Sequence, residues 1–343
     1  MVGIRYPRPL VAGDLVGVAT PSSGVPASLH DRLDAALDAV AAHGFRARVG
    51  ELARVDGVTS GPPEARAAEL TEMMTDPSVR AVIPPWGGDL AVDLLDRLDF
   101  DALTVDPTWL IGYSDLSTLM TPLTLATGVA TLHGANLMDT PYELPVEFSS
   151  WVDVVTAPAG ATLVQSAAPR RRIRPWGPWA TEPRTRDDAY EEPTRWRRLD
   201  GDDPVTVTGR LIGGCLETVA LLPGTPYGDL DGFARRHAPE GLLVYLEAAE
   251  ADTLETARLL HRLRLAGWFD HANAVLIGRT PAPESPGYTR LQALADTLGG
   301  LGVPVLYDVD FGHEPPQLPL VNGALAEVEW DAASARITQR LVP

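Results

Sequence analysis

The sequence predicts a two-domain α/β protein whose first domain is built on a mostly parallel sheet covered by helices on both faces. Two observations lead to this fold class. Short apolar segments alternate with amphipathic segments from residue 14 to residue 133, and parallel strands need helical crossovers of this kind. The chain also has 343 residues, whereas a single hydrophobic core stops growing at about 250–300 residues.

Each element of the first domain is predicted from its apolar spacing and from the residue that ends it. The first helix carries Leu29, Leu33 and Leu37 at helical spacing. It stops at Gly44, because glycine tolerates the positive φ of a helix end. The second predicted helix begins at Pro63, because proline is favoured as the first residue of a helix. We expect strands at 14–19, 45–49, 79–83, 109–111 and 129–132, and helices at 29–43, 63–75, 89–98 and 116–126.

Four loops follow strands of this predicted sheet, and parallel strands place their carboxyl ends at one edge. Ligands of such sheets bind in the crevice beyond those ends. We therefore expect the loops to line one site. The loops are 20–24, 85–88, 113–115 and 133–136.

The second half resumes the alternation after an irregular stretch. We predict an N-terminal domain at 1–165, a connecting loop rich in Arg and Trp at 166–208, and a C-terminal α/β domain with some antiparallel strands at 209–343. The period-2 pattern of 324–330 is typical of an edge hairpin. Further predicted strands are 241–246, 274–277 and 304–309, and further predicted helices are 215–222, 252–266 and 288–298.

Composition excludes several classes of function. The formal net charge of -18 argues against nucleic acid, which binds positive surfaces. The chain shows neither a membrane-length apolar run nor a signal peptide, so we expect a soluble, cytoplasmic protein. Cys215 is the single cysteine, which rules out an internal disulfide or CxxC site and indicates a small buried residue. Neither a Walker loop nor G-x-G-x-x-G occurs.

Ser114 lies where a strand meets a helix. The apolar run Trp109 to Ile111 reaches Gly112, and the helix-start pattern begins just after Ser114. A serine at such a turn projects its hydroxyl from the sheet edge, beside the next backbone N–H, and this favours a nucleophile with an oxyanion donor. The alternative is that Ser114 only caps the helix. Leu116 replaces the second glycine of G-x-S-x-G, which makes an ordinary α/β-hydrolase a poor match.

A serine nucleophile needs an imidazole base, and that base needs a carboxylate. His133 and His313 each lie just beyond a predicted strand, whereas the other five histidines fall on helices or polar connections. Glu247, at the end of a very apolar strand, is a sharper candidate for the acid than Asp310. Spacing alone leaves the choice between the two histidines open.

Four patches of the sequence resemble the LD-carboxypeptidases, a family of serine peptidases. The patches are Gly112-Tyr113-Ser114-Asp115, Gly209-Arg210-Leu211-Ile212-Gly213-Gly214, Leu243-Val244-Tyr245-Leu246-Glu247, and Phe311-Gly312-His313 with Pro319 and Gly323 downstream. The resemblance implies Ser114 as nucleophile, Glu247 as acid and His313 as base. It also implies an oxyanion hole from the backbone N–H groups of Asp115 and of the Gly87-Gly88 loop, with Gly88 as donor and Gly87 contacting substrate. Cys215 stands where the family usually has Asn, and Pro85-Trp86 precedes Gly87 where polar residues are often found.

The resemblance implies a serine peptidase whose two domains meet at the active site. Length and the Trp-rich stretch resemble the microcin C immunity branch, which implies hydrolysis of an amide between an acidic aminoacyl group and a nucleotide-like group. The runner-up is removal of the terminal D-Ala from a murein tetrapeptide, and the alternative of another class is a non-catalytic peptide- or nucleotide-binding protein. We expect a homodimer that uses no cofactor or metal and binds neither nucleic acid nor membrane.

The segment from Arg170 to Trp196 is the expected source of a distal substrate pocket. Its arginines would attract an anionic group, and its tryptophans, Trp179 first and Trp196 second, would stack on a base. The competing interpretation is that the rings only fasten the loop to the domain. The residues concerned are Arg170, Arg171, Arg172, Arg174, Trp176, Trp179 and Trp196.

Overall fold

The computed structural model describes residues 3–173, 177–187 and 189–343, so Arg174 and Trp176 lie outside the described residues. The strands are β1 (Leu15–Val18), β2 (Arg46–Val49), β3 (Val79–Val82), β4 (Trp109–Gly112), β5 (Thr131–His133), β6 (Thr162–Ser166), β7 (Arg170–Arg171), β8 (Glu192–Pro193), β9 (Arg197–Arg198), β10 (Val205–Cys215), β11 (Leu242–Glu247), β12 (Ala272–Gly278), β13 (Val305–Val309), β14 (Leu320–Asn322), β15 (Leu325–Trp330) and β16 (Ala335–Arg340). The α-helices are α1 (His30–Ala42), α2 (Pro63–Thr75), α3 (Ser117–Thr127), α4 (Trp151–Thr156), α5 (Leu216–Val219), α6 (Leu230–His237), α7 (Thr253–Leu265) and α8 (Arg290–Leu298).

The first sheet has the strand order β14-β5-β4-β3-β1-β2. Strands β1 to β5 are mutually parallel, and β14 pairs antiparallel with β5. The buried apolar residues of β1, β3 and β4 form one core with the inner faces of α1, α2 and α3. The predicted mostly parallel sheet is therefore confirmed, as is the α/β class.

The second sheet has the order β6-β16-β15-β10-β11-β12-β13-β9. Strands β10 to β13 are parallel, and the remaining strands pair antiparallel. On β11, Leu242, Val244 and Leu246 join the large apolar cluster that continues into the first domain, whereas Leu243 and Tyr245 join a second cluster on the other face. The second sheet is therefore covered on both faces.

Two strands cross between the halves of the sequence. Thr162–Ser166 pairs with β16 in the second sheet, although all of it except Ser166 lies within the range predicted for the first domain. Leu320–Asn322 pairs with β5 in the first sheet, although it lies within the predicted C-terminal domain. The boundaries at 165 and 209 stay predictions.

Two local predictions differ from the structure. The stretch 89–98 forms only a 3₁₀ turn at Ala91–Leu94, and the Ala91 N–H at its start is held by the Asp115 carboxylate at 2.8 Å. Strands β15 and β16 do form a hairpin, but β6 covers its outer side, so the hairpin is not at an edge. None of the helices in the described part of the chain is both long and apolar enough to span a bilayer.

Candidate active site

Ser114 follows β4 in a strained turn. Its φ is +64°, in the left-handed region that non-glycine residues seldom adopt. Gly112 has a φ of +149°, and a Cβ there would lie 2.3 Å from the Leu116 side chain. No side-chain cap is formed at the start of the following 3₁₀ turn or of α3. The N-cap residues of these two elements are Tyr113 and Leu116, so Ser114 is not a helix cap.

Three side chains predicted from separate parts of the sequence meet at this turn. His313 Nε2 lies 3.0 Å from Ser114 Oγ, and His313 Nδ1 lies 2.7 Å from Glu247 Oε2. Both distances are within hydrogen-bond reach. His133 occupies the other side of the carboxylate, with Nε2 3.9 Å from Glu247 Oε1. Of the two candidate histidines, the structure brings His313 to Ser114.

The second sheet positions the acid and the base. Side chains alternate along a strand, so Glu247 shares the face of Tyr245 on β11. The loop carrying His313 is held at both ends by Arg279, which pairs with Asp310 and donates to the carbonyl of Pro316 at 2.9 Å. Leu318 N–H also donates to the carbonyl of Asp310 at 2.8 Å. His313 is thus fixed by contacts made outside the site.

The electrostatics of the pair favour an ionised acid. Burial disfavours the charged form of Glu247, which is 1% exposed, but the charge of His313, together with the polar contacts of His133 and His313, outweighs burial and lowers the pKa of Glu247 to about 2. Burial acts to lower the pKa of His313, and the Glu247 carboxylate reverses this and raises it above the ordinary value. The carboxylate therefore stabilises an imidazolium.

The loops predicted to line the site approach Ser114 closely. A Cβ on Gly87 would lie 3.1 Å from Ser114 Oγ and 3.2 Å from the Asp115 nitrogen, so any side chain here would crowd the serine. Gly88 has a φ of +144°, and a Cβ there would meet Ser22 Oγ at 2.3 Å. The backbone of 87–88 and the N–H of Asp115 therefore border the same space beside the serine hydroxyl.

The carboxylate of Asp115 has a role that sequence reasoning missed. It accepts from Ser22 Oγ at 2.5 Å and from the backbone N–H of Ala91 at 2.8 Å. It thereby ties together the loops after β1, β3 and β4. The sequence signal that could have indicated this role is the position of Asp115, which lies next to Ser114 and before a helix. An acid at such a position has backbone N–H donors within reach.

Trp196 does not line the site, contrary to the prediction of substrate stacking. Its ring is 2% exposed and belongs to the apolar cluster on one face of the second sheet. Its Nε1 donates to Asp310 Oδ2 at 2.7 Å. Because the ring is enclosed and its donor is used, Trp196 fastens the segment to the loop of His313.

Other residues of the same segment also contact side chains of the protein itself. Arg171 pairs with Glu192 and with Glu314, next to His313. Trp179 Nε1 lies 2.6 Å from Tyr142 Oη, and the Arg32 guanidinium lies 5.0 Å from the Trp179 ring centroid. The Trp179 ring is half-buried, so these contacts leave part of it accessible.

A groove of about 740 Å³ is lined by Ala135 and Asp139, which follow β5, and by Tyr142. Its far end contains Arg184 and Arg186, which form exposed ion pairs with Asp38 and Glu143. Such pairs contribute only about 0–1 kcal/mol. The lining also includes the carboxylates of Asp139 and Asp153, so the groove carries more acidic than basic side chains.

Cys215 is buried behind Ser114. Its backbone N–H donates to Ser117 Oγ at 3.0 Å and its thiol to Glu217 Oε2 at 3.2 Å. Burial raises the pKa of the thiol well above its ordinary value. Within residues 3–173, 177–187 and 189–343, the structure contains no group of three or more His, Cys, Asp or Glu side chains suited to hold a metal.

Comparison with known proteins places this site in a family. Residues 16–134 match the LD-carboxypeptidase N-terminal domain, and residues 208–328 match the C-terminal domain. A protein of Streptomyces coelicolor provisionally named a carboxypeptidase is 31% identical, with 96% of this chain and 94% of that protein covered. The microcin C7 self-immunity protein MccF of Escherichia coli is 25% identical, with 97% and 95% covered.

Other relatives carry a different name. A Bacillus subtilis protein provisionally named a murein peptide carboxypeptidase is 26% identical, with 96% of this chain and 93% of that protein covered. Among solved structures, wild-type apo MccF aligns with a TM-score of 0.83 at 23% identity over 98% of this chain and 99% of that chain. At this identity the likeness shows the fold. Since both domain models match and the relatives align over nearly the whole chain, the protein belongs to the LD-carboxypeptidase family.

Proposed function

We propose that the protein is a serine peptidase that hydrolyses an amide bond with Ser114 as nucleophile, His313 as base and Glu247 as acid. The observation that carries this proposal is the hydrogen-bonded chain from Ser114 Oγ through both nitrogens of His313 to Glu247. The strained φ of Ser114 supports it further, because strain of this kind is typical of functional residues.

In the proposed reaction, His313 Nε2 takes the hydroxyl proton while Ser114 Oγ attacks the carbonyl carbon. The backbone N–H groups of Asp115 and Gly88 donate to the resulting oxyanion. The imidazolium, stabilised by Glu247, then gives its proton to the leaving nitrogen, and the C–N bond breaks. Water then attacks the acyl-enzyme with His313 again as base. This step releases the carboxylic acid product and returns the proton to Ser114 Oγ.

The substrate we propose is an aminoacyl-nucleotide, as for the microcin C immunity branch. MccF structures are titled as complexes with glutamyl sulfamoyl guanosine and with aspartyl sulfamoyl adenosine. The groove beyond Asp139 supports this choice, because Trp179 contacts its lining residue Tyr142 and offers a ring on which a base can stack. The 26% identity to the Bacillus subtilis relative favours a second candidate, a murein tetrapeptide that loses its terminal D-Ala.

Turnover of the two substrates tests these proposals. The purified protein is assayed in parallel with an aspartyl sulfamoyl adenosine and a murein tetrapeptide, together with Ser114→Ala and, as a matched control, Ser78→Ala on an exposed turn. We expect Ser114→Ala to fold normally and to lose several orders of magnitude in rate, and Ser78→Ala to match wild type. Activity of Ser114→Ala within about tenfold of wild type would contradict the nucleophile. Binding of either compound without turnover by the wild type would indicate the non-catalytic alternative.

A further inference from the structure

A cluster of buried polar atoms beside the proposed acid is not used by the mechanism above. His133 is 0% exposed and Glu247 is 1% exposed. Both ring nitrogens of His133 and the Oε1 atom of Glu247 lack a hydrogen-bond partner among the described residues. Leaving such groups unpaired in an interior is costly, so the arrangement requires an explanation.

The separation of the two groups indicates direct contact. His133 Nε2 lies 3.9 Å from Glu247 Oε1, which is longer than a hydrogen bond. It is also shorter than about 4.5 Å, the separation produced when a water makes two hydrogen bonds of about 2.8 Å at a near-tetrahedral angle. A movement of about 1 Å by either side chain would form the bond.

The surroundings of His133 hold its ring in this place. Aromatic rings border it on several sides, with Tyr245 at 5.3 Å, Phe311 at 6.2 Å and Tyr113 at 6.3 Å between centroids. Backbone pairing also fixes the residue, since it lies between Gly112 of β4 and Leu320 of β14. A ring enclosed in this way has few rotamers, and its Nε2 is left facing the carboxylate.

We propose that His133 is a positioning residue that donates from Nε2–H to Glu247 Oε1 and so directs Oε2 toward His313. This inference rests on the proposed function, since it assigns the orientation of the proposed acid. The Glu247 carboxylate then bridges two imidazoles, one from each domain. Without His133, the carboxylate rotates within its pocket and His313 loses its fixed tautomer and direction.

Nitrogen NMR of the resting protein tests the bond without any substrate. In ¹⁵N-labelled wild type we expect His133 to carry its proton on Nε2, and we expect two far-downfield imidazole protons, one from each histidine that donates to Glu247. Finding Nε2 of His133 unprotonated would overturn the proposal. Since this measurement needs no turnover, its result stays separate from failure of the proposed function, which the two-substrate assay reports.

Two amide substitutions give a matched kinetic comparison. The side-chain nitrogen of His133→Gln falls near the Nε2 position, whereas that of His133→Asn falls near Nδ1. We expect His133→Asn to lower kcat by about 10- to 100-fold with KM nearly unchanged, because the base is disturbed and the substrate contacts are not. We expect His133→Gln to recover most of the loss and to show the downfield proton of His313 as in wild type.

Tyr245→Phe is the control for general disturbance of the aromatic surroundings. It removes a hydroxyl that donates to Asn322 at 2.7 Å while leaving the ring against His133, so kcat should follow wild type. Equal kcat for His133→Gln and His133→Asn would overturn the positioning role. If either variant fails to fold, the wild-type NMR measurement decides alone.

Discussion

At the scale of single residues, charge on His313 and Glu247 governs the chemistry. The carboxylate raises the pKa of His313, and His313 in turn lowers the pKa of Glu247 to about 2. The acid is therefore ionised at every pH at which the protein is assayed. The base is the group whose titration limits the rate, because only the neutral imidazole takes the serine proton.

We predict an acidic limb in the pH dependence of kcat/KM that lies above the ordinary histidine pKa of about 6.5. Because the pKa of His313 is raised, its imidazole becomes protonated at a higher pH than a free histidine does. Activity is therefore lost at a higher pH as the pH falls. Glu247→Gln removes the attraction and should move the His313 titration to lower pH, measured by NMR of the ring. A limb at or below the ordinary value in wild type would contradict this account.

Trp179 also acts at the residue scale. We predict that Trp179→Ala raises KM for the aminoacyl-nucleotide, because the accessible part of the ring stacks on the base. Some loss of melting temperature is expected too, since the ring contacts Arg32 and Tyr142. Lower melting with unchanged KM would show that Trp179 only fastens its loop. Arg336→Ala, on an exposed pair with Glu329, provides the control.

At the scale of elements, the Arg- and Trp-rich segment braces the loop that carries His313. Trp196 donates to Asp310, Arg171 pairs with Glu314, and the N–H of Arg172 donates to the carbonyl of Pro315 at 3.0 Å. These contacts lie on both sides of His313. The segment therefore determines where the base stands, in addition to any contact with substrate.

We predict that Arg279→Leu is strongly destabilising, by about 3–5 kcal/mol. The substitution leaves the Asp310 carboxyl, which is 0% exposed, without the guanidinium that offsets the cost of its burial. Denaturant unfolding measures the loss, and Arg336→Ala should cost no more than about 1 kcal/mol, as exposed ion pairs do. Similar values for the two variants would mean that the Arg279–Asp310 pair is not a structural anchor.

At the scale of the whole molecule, Asn322 joins the two sheets. It lies on β14 in the first sheet, is fully buried, and accepts from Gly213 N–H at 3.2 Å and from Tyr245 Oη at 2.7 Å, both in the second sheet. Its Nδ2 donates to Thr131 Oγ1 at 3.0 Å in the first sheet. The large apolar cluster also runs through both halves, so the domains share one core.

We predict that the protein unfolds in a single calorimetric transition and that Asn322→Ala lowers the free energy of unfolding by about 3 kcal/mol or more. Three polar groups lose a buried partner, at about 1–3 kcal/mol each. Asn273→Ala, whose amide bonds two carbonyls within the second domain, is the control and should cost less. Two separate transitions in wild type would show that the domains are independent.

The sequence by itself determined the class of fold and the residues to examine. Apolar periodicity and turn residues are local properties, so they predicted α2 at its observed bounds, five of the six strands of the first sheet and four of the eight strands of the second, to within a few residues. The same local signals placed Ser114, Glu247 and His313 beyond strand ends. The local signals wrongly predicted a helix at 89–98, where the chain forms a short 3₁₀ turn that is bonded to Asp115.

Only the tertiary structure decided which of these residues meet. His133 and His313 are equivalent by their spacing from predicted strands. In the structure, Leu320–Asn322 pairs with the strand of His133 in the first sheet, and the two histidines face the Glu247 carboxylate from opposite sides. The sequence likewise predicted that Trp196 stacks on a ligand, and only the structure shows that its ring is buried with its N–H bonded to Asp310. Contacts between residues more than 60 positions apart depend on how the sheets pack, and no local pattern encodes that geometry.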